Sequence, residues 1–315
     1  MIPIILGYTM DLIFGDPRWM PHPVKIIGTV ITKLEFVIRK FILNKRFAGI
    51  ILAIIIIGLS WLIPFLLIKF AASIHKYAGW GISAVLIYTT LSIKDLKVHA
   101  ISIYSALKNK NLVKAKEKIS MMVGRDTENL SETEIIRATV ETIAENTVDG
   151  IISPLFFAFL GGAPMAIAYK AVNTLDSMVG YKNKKYIDFG WASAKIDDLA
   201  NFIPARISAL IIPISSWLLR ERGIKSWRIA LRDGKKNSSP NSGIPQSATA
   251  GALGIQLGGK CSYHGLTINK PLIGDKINLL TPEHIKKSIK ISHMCGILTI
   301  LTGLITTYHL RGGKW

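Results

Sequence analysis

The chain has 315 residues, half of them hydrophobic, and a formal net charge of +19. Long uncharged apolar blocks exclude an ordinary soluble domain, and two cysteines without metal-ligand spacing exclude a disulfide scaffold or a zinc module. The basic charge flanks those blocks and no nucleic-acid-binding motif accompanies it, so the pattern favours anionic lipid headgroups or phosphorylated small molecules over nucleic acid.

Residues 1–14, MIPIILGYTMDLIF, read as a short membrane-entering segment that stays in the mature chain. It has no basic leader, Asp11 interrupts its apolar run, and no small-residue cleavage site follows. GDPRWMPHPV, 15–24, is stiffened by three prolines, with Trp19 suited to the headgroup level, and it leads into an amphipathic basic helix ending near 46. Residues 47–68 form an uncharged run of 22, roughly 33 Å as a helix and enough to cross a hydrocarbon core of about 30 Å. Residues 77–93 are 17 long, at the short limit for a span, and pair with it as a hairpin around KFAASIHKYAG. A polar helical region follows at 94–149.

Residues 150–169 are long enough to span, but Gly161, Gly162 and Pro164 predict two half-helices that turn back. The run 202–219 is expected to be broken too, by Pro204, Arg206 and Pro213. An arginine at mid-membrane costs about 3 kcal/mol or more and so points to function. The last span is 291–310. Residues 15–46 carry seven Lys/Arg against two acids, and 220–290 thirteen against four, which places both in the cytoplasm. The expected fold is therefore all-α: one polytopic domain over 1–315 in the cell membrane, with broken or re-entrant helices around a cytoplasm-facing polar site. Segments 94–149 and 220–290 are its cytoplasmic helical and loop parts.

Four stretches carry the polar chemistry. In RATVETIAENTVD, Glu141, Glu145 and Asp149 fall at i, i+4 and i+8 on one helical face, with no lysine on that stripe to balance them. Repelling carboxylates require a positive partner, and Mg²⁺ suits the gap because it takes carboxylate oxygens and bridges to phosphate. A solvated acidic face is the plainer alternative. In YKAVNTLDSMVG, Lys170, Asn173, Asp176 and Ser177 share a face within apolar surroundings. SAKIDDLANFIPAR adds Asp197, Asp198, Asn201 and Arg206. Buried polar groups need partners, so each segment is either an inter-helix hydrogen-bond network or part of one shared site. The fourth, SSPNSGIPQSATAGALGIQLGGK, places Ser239, Asn241 and Gln246 at a turn of the kind that presents N–H groups to an anion. GIQLGGKC within it fits a phosphate-loop pattern but ends in Cys261 where Ser or Thr is needed, and no strand is expected before it.

Taken together, DLIFGDPRWMPHPVKIIG, ETIAENTVDGIISPLFFAFLGGAPMAIAYKAVNTLDSMVGYKNKKYIDFGWASAKIDDLANFIPAR and SPNSGIPQSATAGALGIQLGG resemble the membrane-bound adenosylcobinamide-phosphate synthases of cobalamin biosynthesis, in order, as far as about residue 275. Gln246 departs from the acidic residue many relatives carry there, which gives it a supporting role. The resemblance implies amide formation between an adenosylated corrinoid, adenosylcobyric acid, and aminopropanol or its O-phosphate, with ATP as co-substrate and Mg²⁺ as cofactor. Other enzymes of the cobalamin pathway are implied partners beside the lipid bilayer. On that reading Asp16, His22, Glu141, Glu145 and Asp176 are catalytic candidates. Glu141, Glu145, Asp149, Asp197 and Asp198 are metal candidates. Lys170, Asn173, Ser177, Asn201, Arg206, Ser239, Asn241 and Gln246 would bind substrate or phosphate. The broken helices and intramembrane charge also fit a transporter of an anionic metabolite, although no inverted repeat is visible. A scaffold for a biosynthetic complex would tolerate alanine along the acidic stripe.

Overall fold

The structure is a computed structural model, and it describes residues 1–17, 22–181, 183–263, 265–310 and 312. Arg18 and Trp19 of the proline-rich stretch lie outside these, so the headgroup placement of Trp19 does too. In chain order the helices are α1 (Ile2–Phe14), α2 (Pro23–Phe41), α3 (Lys45–Ile74), α4 (Lys76–Tyr88), α5 (Ile93–Lys108), α6 (Leu112–Ser120) and α7 (Glu132–Thr147). A π-helical turn, Val148–Ile152, leads into α8 (Ser153–Val179), α9 (Trp191–Ala200), α10 (Phe202–Leu218), α11 (Gly223–Asp233) and α12 (Gly243–Leu253). Strands β1 (Leu257–Tyr263) and β2 (Leu266–Ile273) precede α13 (Glu283–Leu310). Starts follow local chemistry: Asn44 caps α3 through Phe47 N at 3.1 Å, and Ser131 with Glu134 forms a capping box on α7.

Among the described residues, three helical stretches are long and apolar enough to cross a membrane: Lys45–Ile74, Glu132–Val179 and Glu283–Leu310. The spans expected at 47–68 and 291–310 are among them. The one expected at 77–93 is not, because α4 stops at Tyr88 after 13 residues. KFAASIHKYAG is not a loop either. Helix α3 runs through it to Ile74, and His75 alone makes the break, capping α4 with its Nδ1 at 3.3 Å from Tyr77 N.

The chain divides into two compact units. The first comprises Met1–Lys94, Asp149–Asn201 and the chain from Ile300 onward. Ile27, Ile31 and Ile38 of α2, Leu52 and Ile56 of α3, and Ile167, Leu175 and Val179 of α8 close over Phe189, all buried. Gly49 is needed there because a Cβ at that position would stand 1.8 Å from the Phe189 carbonyl oxygen. Within this unit α8 folds back on itself. Gly161 and Gly162 leave helical geometry, and Gly162 has φ 71° and ψ −162°, a conformation only glycine adopts freely. Phe157 and Tyr169 stack with centroids 5.0 Å apart across that break. Twelve residues of straight helix would separate them by roughly 18 Å. The expected pair of half-helices is present.

The second unit comprises Asp95–Val148 and Phe202–Thr299. Here the all-α expectation fails: β1 and β2 form an antiparallel hairpin, with Cys261 opposite Ile268 and a bulge between Leu257 and Gly259. Helix α12, buried at every residue but Ile244, precedes it, and Gly254 ends that helix in a left-handed conformation. Helix, turn and strand is the reverse of a phosphate loop's strand, loop and helix, so GIQLGGKC is not one. Helix α10 corrects a second expectation, because Pro204, Arg206 and Pro213 do not break it. Pro204 sits in the first turn, where no intrahelical N–H is required. The break falls at Asn201 instead.

Asp233, fully buried, fastens the hairpin to α11. It accepts from Arg232 at 2.7 and 2.8 Å, from Lys236 at 2.7 Å and from Gly274 N at 2.8 Å. These donors hold its carboxyl well below the usual carboxylate range.

Candidate active site

In the first unit, the end of α1, the start of α2, the 89–92 turn and α8 enclose a cavity of about 300 Å³ lined by Asp16, Pro17, His22, Val24, Lys25, Thr89, Leu91, Ser92 and Lys170. Sequence picked out Asp16, His22 and Lys170. Lys25, Thr89 and Ser92 were missed, although Lys25 lies one turn beyond His22. His22 is the N-cap of α2, its Nδ1 accepting from Val24 N at 3.3 Å. An accepting Nδ1 puts the proton of the neutral ring on Nε2, and Nε2 faces Asp16 Oδ1 at 3.4 Å. Both facing atoms are buried, and among the described residues neither completes a hydrogen bond. The Lys170 ammonium lies in the field of Asp149, Asp16 and Asp11. Asp11, fully buried, caps α5: its Oδ2 accepts from Ile93 N at 2.9 Å and Lys94 N at 3.4 Å. That accounts for an aspartate inside an apolar helix.

The same unit gathers a second polar group. Asn201 joins both limbs of the folded-back helix, its Oδ1 accepting from Ser153 Oγ at 2.7 Å and from Tyr169 Oη at 2.9 Å. Its Nδ2 donates to both carboxylate oxygens of Asp197, at 3.2 and 3.1 Å. Asn173 also hydrogen-bonds Asp197, and Asp176 and Asp198 lie within repulsive range of it. Lys195 reaches Asp198 at 3.9 Å. Ser177 is exposed and turns back to Asn173 O at 2.8 Å. Asp149 is half-buried in the π-helical turn. Among the described residues no three His, Cys, Asp or Glu side chains close into a metal cage. Mg²⁺ does not require one, since it usually keeps waters and takes one or two carboxylates plus phosphate. Asp197 with one acidic neighbour, Asp176 or Asp198, would supply the one or two carboxylates of that habit.

In the second unit Glu141 is not the uncompensated carboxylate the stripe implied. Arg125, a lone arginine in a loop and invisible to periodicity, donates to its Oε2 at 2.5 Å, and Gly258 N donates to Oε1 at 2.8 Å. Burial opposes the Arg125 charge, yet the Glu141 carboxylate more than offsets it and raises its pKa. Lys270 is shaped by the same balance: burial lowers its pKa, and Tyr263 with Glu141 raises it overall. Gln246 is buried nearby, its Oε1 accepting from Asn237 Nδ2 at 3.3 Å. Glu145 is half-buried on α7. Arg206 donates to Asn241 Oδ1 at 2.7 Å and to its own helix at Phe202 O, 3.0 Å. Ser239 Oγ accepts from Asn241 N and Ser242 N, both at 3.3 Å. Two N–H groups of the expected anion cradle are thus used internally. A wider groove of about 770 Å³ lies between the 125–130 loop and the hairpin, lined among others by Asp126, Glu134, Lys260 and Cys261. Cys261 and Cys295 are buried free thiols, as expected.

Membrane-length helices, a helix folded back on itself and an acid-and-lysine cavity define a helical membrane protein with a polar interior site. Residues 4–292 match the family model described as CobD/Cbib protein. The chain is 45% identical over 304 residues to Cobalamin biosynthesis protein CobD of Geobacter metallireducens, covering 96% of each. It is 45% identical over 320 residues to the CobD protein of Clostridium tetani, covering 99% of each. To Cobalamin biosynthesis protein CbiB of Salmonella typhi it is 42% identical over 310 residues, 98% of this chain and 97% of the relative. No solved structure matches. The chain belongs to the CobD/CbiB family of cobalamin biosynthesis proteins.

Proposed function

We propose that the chain is an amide-forming ligase, joining a propionate of adenosylcobyric acid to aminopropanol or its O-phosphate at the expense of ATP. The observation that carries this is the cavity of about 300 Å³ where Asp16, His22, Lys25 and Lys170 meet. It is sized for a small amino alcohol phosphate rather than a corrin ring. A carboxylate oxygen of the corrinoid attacks the γ-phosphorus of ATP, ADP leaves, and an acyl phosphate forms. The amine nitrogen then attacks the acyl carbon and inorganic phosphate departs with the acyl oxygen. Asp16 accepts the proton that the ammonium must lose before attack, and His22 orients Asp16. Lys25 and Lys170 hold phosphate oxygens. Asp197 with one of its acidic neighbours, Asp176 or Asp198, would hold Mg²⁺, which supplies charge neutralisation at the transferred phosphoryl group. Asn201 and Asn173 orient those carboxylates.

Purified protein incubated with adenosylcobyric acid, aminopropanol phosphate, ATP and Mg²⁺ should yield a corrinoid heavier by the amine less water, with one ADP formed per amide. No new amide and no ATP turnover would sink the proposal. Vesicle uptake of an unmodified metabolite, in that case, would move the reading to the transporter.

A further inference from the structure

The outer face of α2 has no part in that chemistry, although its first turn carries His22 and Lys25 into the cavity. At about 100° per residue the helix divides into stripes. Ile27, Ile31, Leu34 and Ile38 fall within roughly 60° and face the core. Beside them, within roughly another 60°, lie Ile26, Val30, Val37 and Phe41; Ile26, Val37 and Phe41 are exposed at 56%, 46% and 76%. Next comes a basic edge of Lys25, Lys33 and Lys40, all exposed, with Phe36 among them. On the remaining side Thr32 is exposed, and beyond it the helix is covered by protein: Arg39 lies 3.9 Å over the Phe189 ring and donates to Lys185 O. The helix's one acid, Glu35, is paired with Arg39 at 2.9 Å and Lys185 at 3.7 Å. After a three-residue link from α2, exposed Lys45 and Arg46 open the 30-residue α3.

We propose that α2 is an in-plane interfacial helix that docks on anionic lipid headgroups. Ile26, Val37 and Phe41 enter the acyl boundary, and Lys33, Lys40, Lys45 and Arg46 engage lipid phosphates. Charge complementarity and continuity with α3 select a lipid surface as the occupant. The proposal rests on the chain spanning a membrane and not on the amide-forming reaction.

The test uses the full chain in phosphatidylcholine vesicles with or without phosphatidylglycerol. Because Cys261 and Cys295 are buried, a nitroxide placed by Val37→Cys, Phe41→Cys or Thr32→Cys reports its own position. Labels at 37 and 41 should be open to oxygen and shielded from a water-soluble nickel chelate, and the label at 32 the reverse. Spin-labelled phosphatidylglycerol should be held at the protein in preference to phosphatidylcholine. That preference should fall roughly fivefold for each lysine removed in the series Lys33→Gln, Lys40→Gln, Lys45→Gln. Water exposure at 37 and 41 equal to that at 32, or a lipid preference unchanged by the triple substitution, overturns the proposal. So does loss of the preference on adding inorganic phosphate alone, which would make the basic edge a free-anion site.

Discussion

Replacing Glu141 by glutamine separates two roles for the residue that heads the acidic stripe. Its side chain and that of Arg125 are 4% and 7% exposed, and its two oxygens are committed to Arg125 and Gly258 N. Glutamine keeps an acceptor for Gly258 but leaves the guanidinium buried without its counter-charge. Breaking a buried pair from one side costs ~3–5 kcal/mol. Arg125→Met should cost a similar amount from the other side. The double variant should recover most of it, because an apolar replacement of the whole pair is often close to neutral. Thermal unfolding of the purified chain in detergent measures the cycle, and turnover in the proposed amide-forming reaction, per folded molecule, is read at a temperature where all variants remain native. A clasp predicts low stability with turnover largely kept in the survivors. Unchanged melting together with collapsed turnover in Glu141→Gln would refute the clasp and restore Glu141 as a metal ligand or reacting group.

Asp233→Asn should destabilise the protein at neutral pH. Since the folded pKa of Asp233 is depressed, its contribution is present above the unfolded carboxylate pKa of about 3.9 and fades as pH falls toward the lower folded value. The melting difference between wild type and variant should therefore shrink below about pH 4; a difference that grows there would contradict the clasp at α11. Gly162→Ala should cost about 1–3 kcal/mol from backbone strain alone, because the nearest atom to its new Cβ is Pro164 Cδ at 3.7 Å. An unchanged melting temperature would argue against the fold-back. Asp16→Asn should lower the rate of amide formation ~10²–10⁴-fold, and His22→Asn, which still caps α2, should lower it less. Wild-type rates in both variants would return this stretch to a rigid connector.

The sequence announced what depends on local pattern. Uninterrupted apolar runs marked α3 and α13, and Gly161–Gly162 marked the turn in α8, since both features reside in neighbouring residues. Asp197 and Asn201 proved to be partners for the same reason: i, i+4 on a helix sets their distance. What escaped notice depends on chain segments far apart. Arg125 finds Glu141 from a separate loop, and nothing in its own neighbourhood signals a charge partner. The hairpin was hidden by its glycines, which read equally well as small residues packing on a helix. Prolines misled at α10: Pro204 falls in the first turn, where no N–H is needed, and Pro213 is accommodated inside the helix. Asp11 was legible as anomalous inside an apolar run, but its reason, the start of α5, lies 82 residues away.

The dependence of the folded-back helix on Asn201 also bears on how the chain is made. Ser153 and Tyr169 share one oxygen of a residue 48 and 32 positions further on, so the two limbs leave the ribosome before the group that ties them exists. At about 5–20 residues per second that interval lasts a few seconds. During it, an apolar stretch long enough to be threaded across the bilayer has only its own Gly161–Gly162 turn to hold it back. Its biogenesis is a race between outward threading and arrival of the clamp, and Asn201→Leu should show itself first as misinserted protein in the cell.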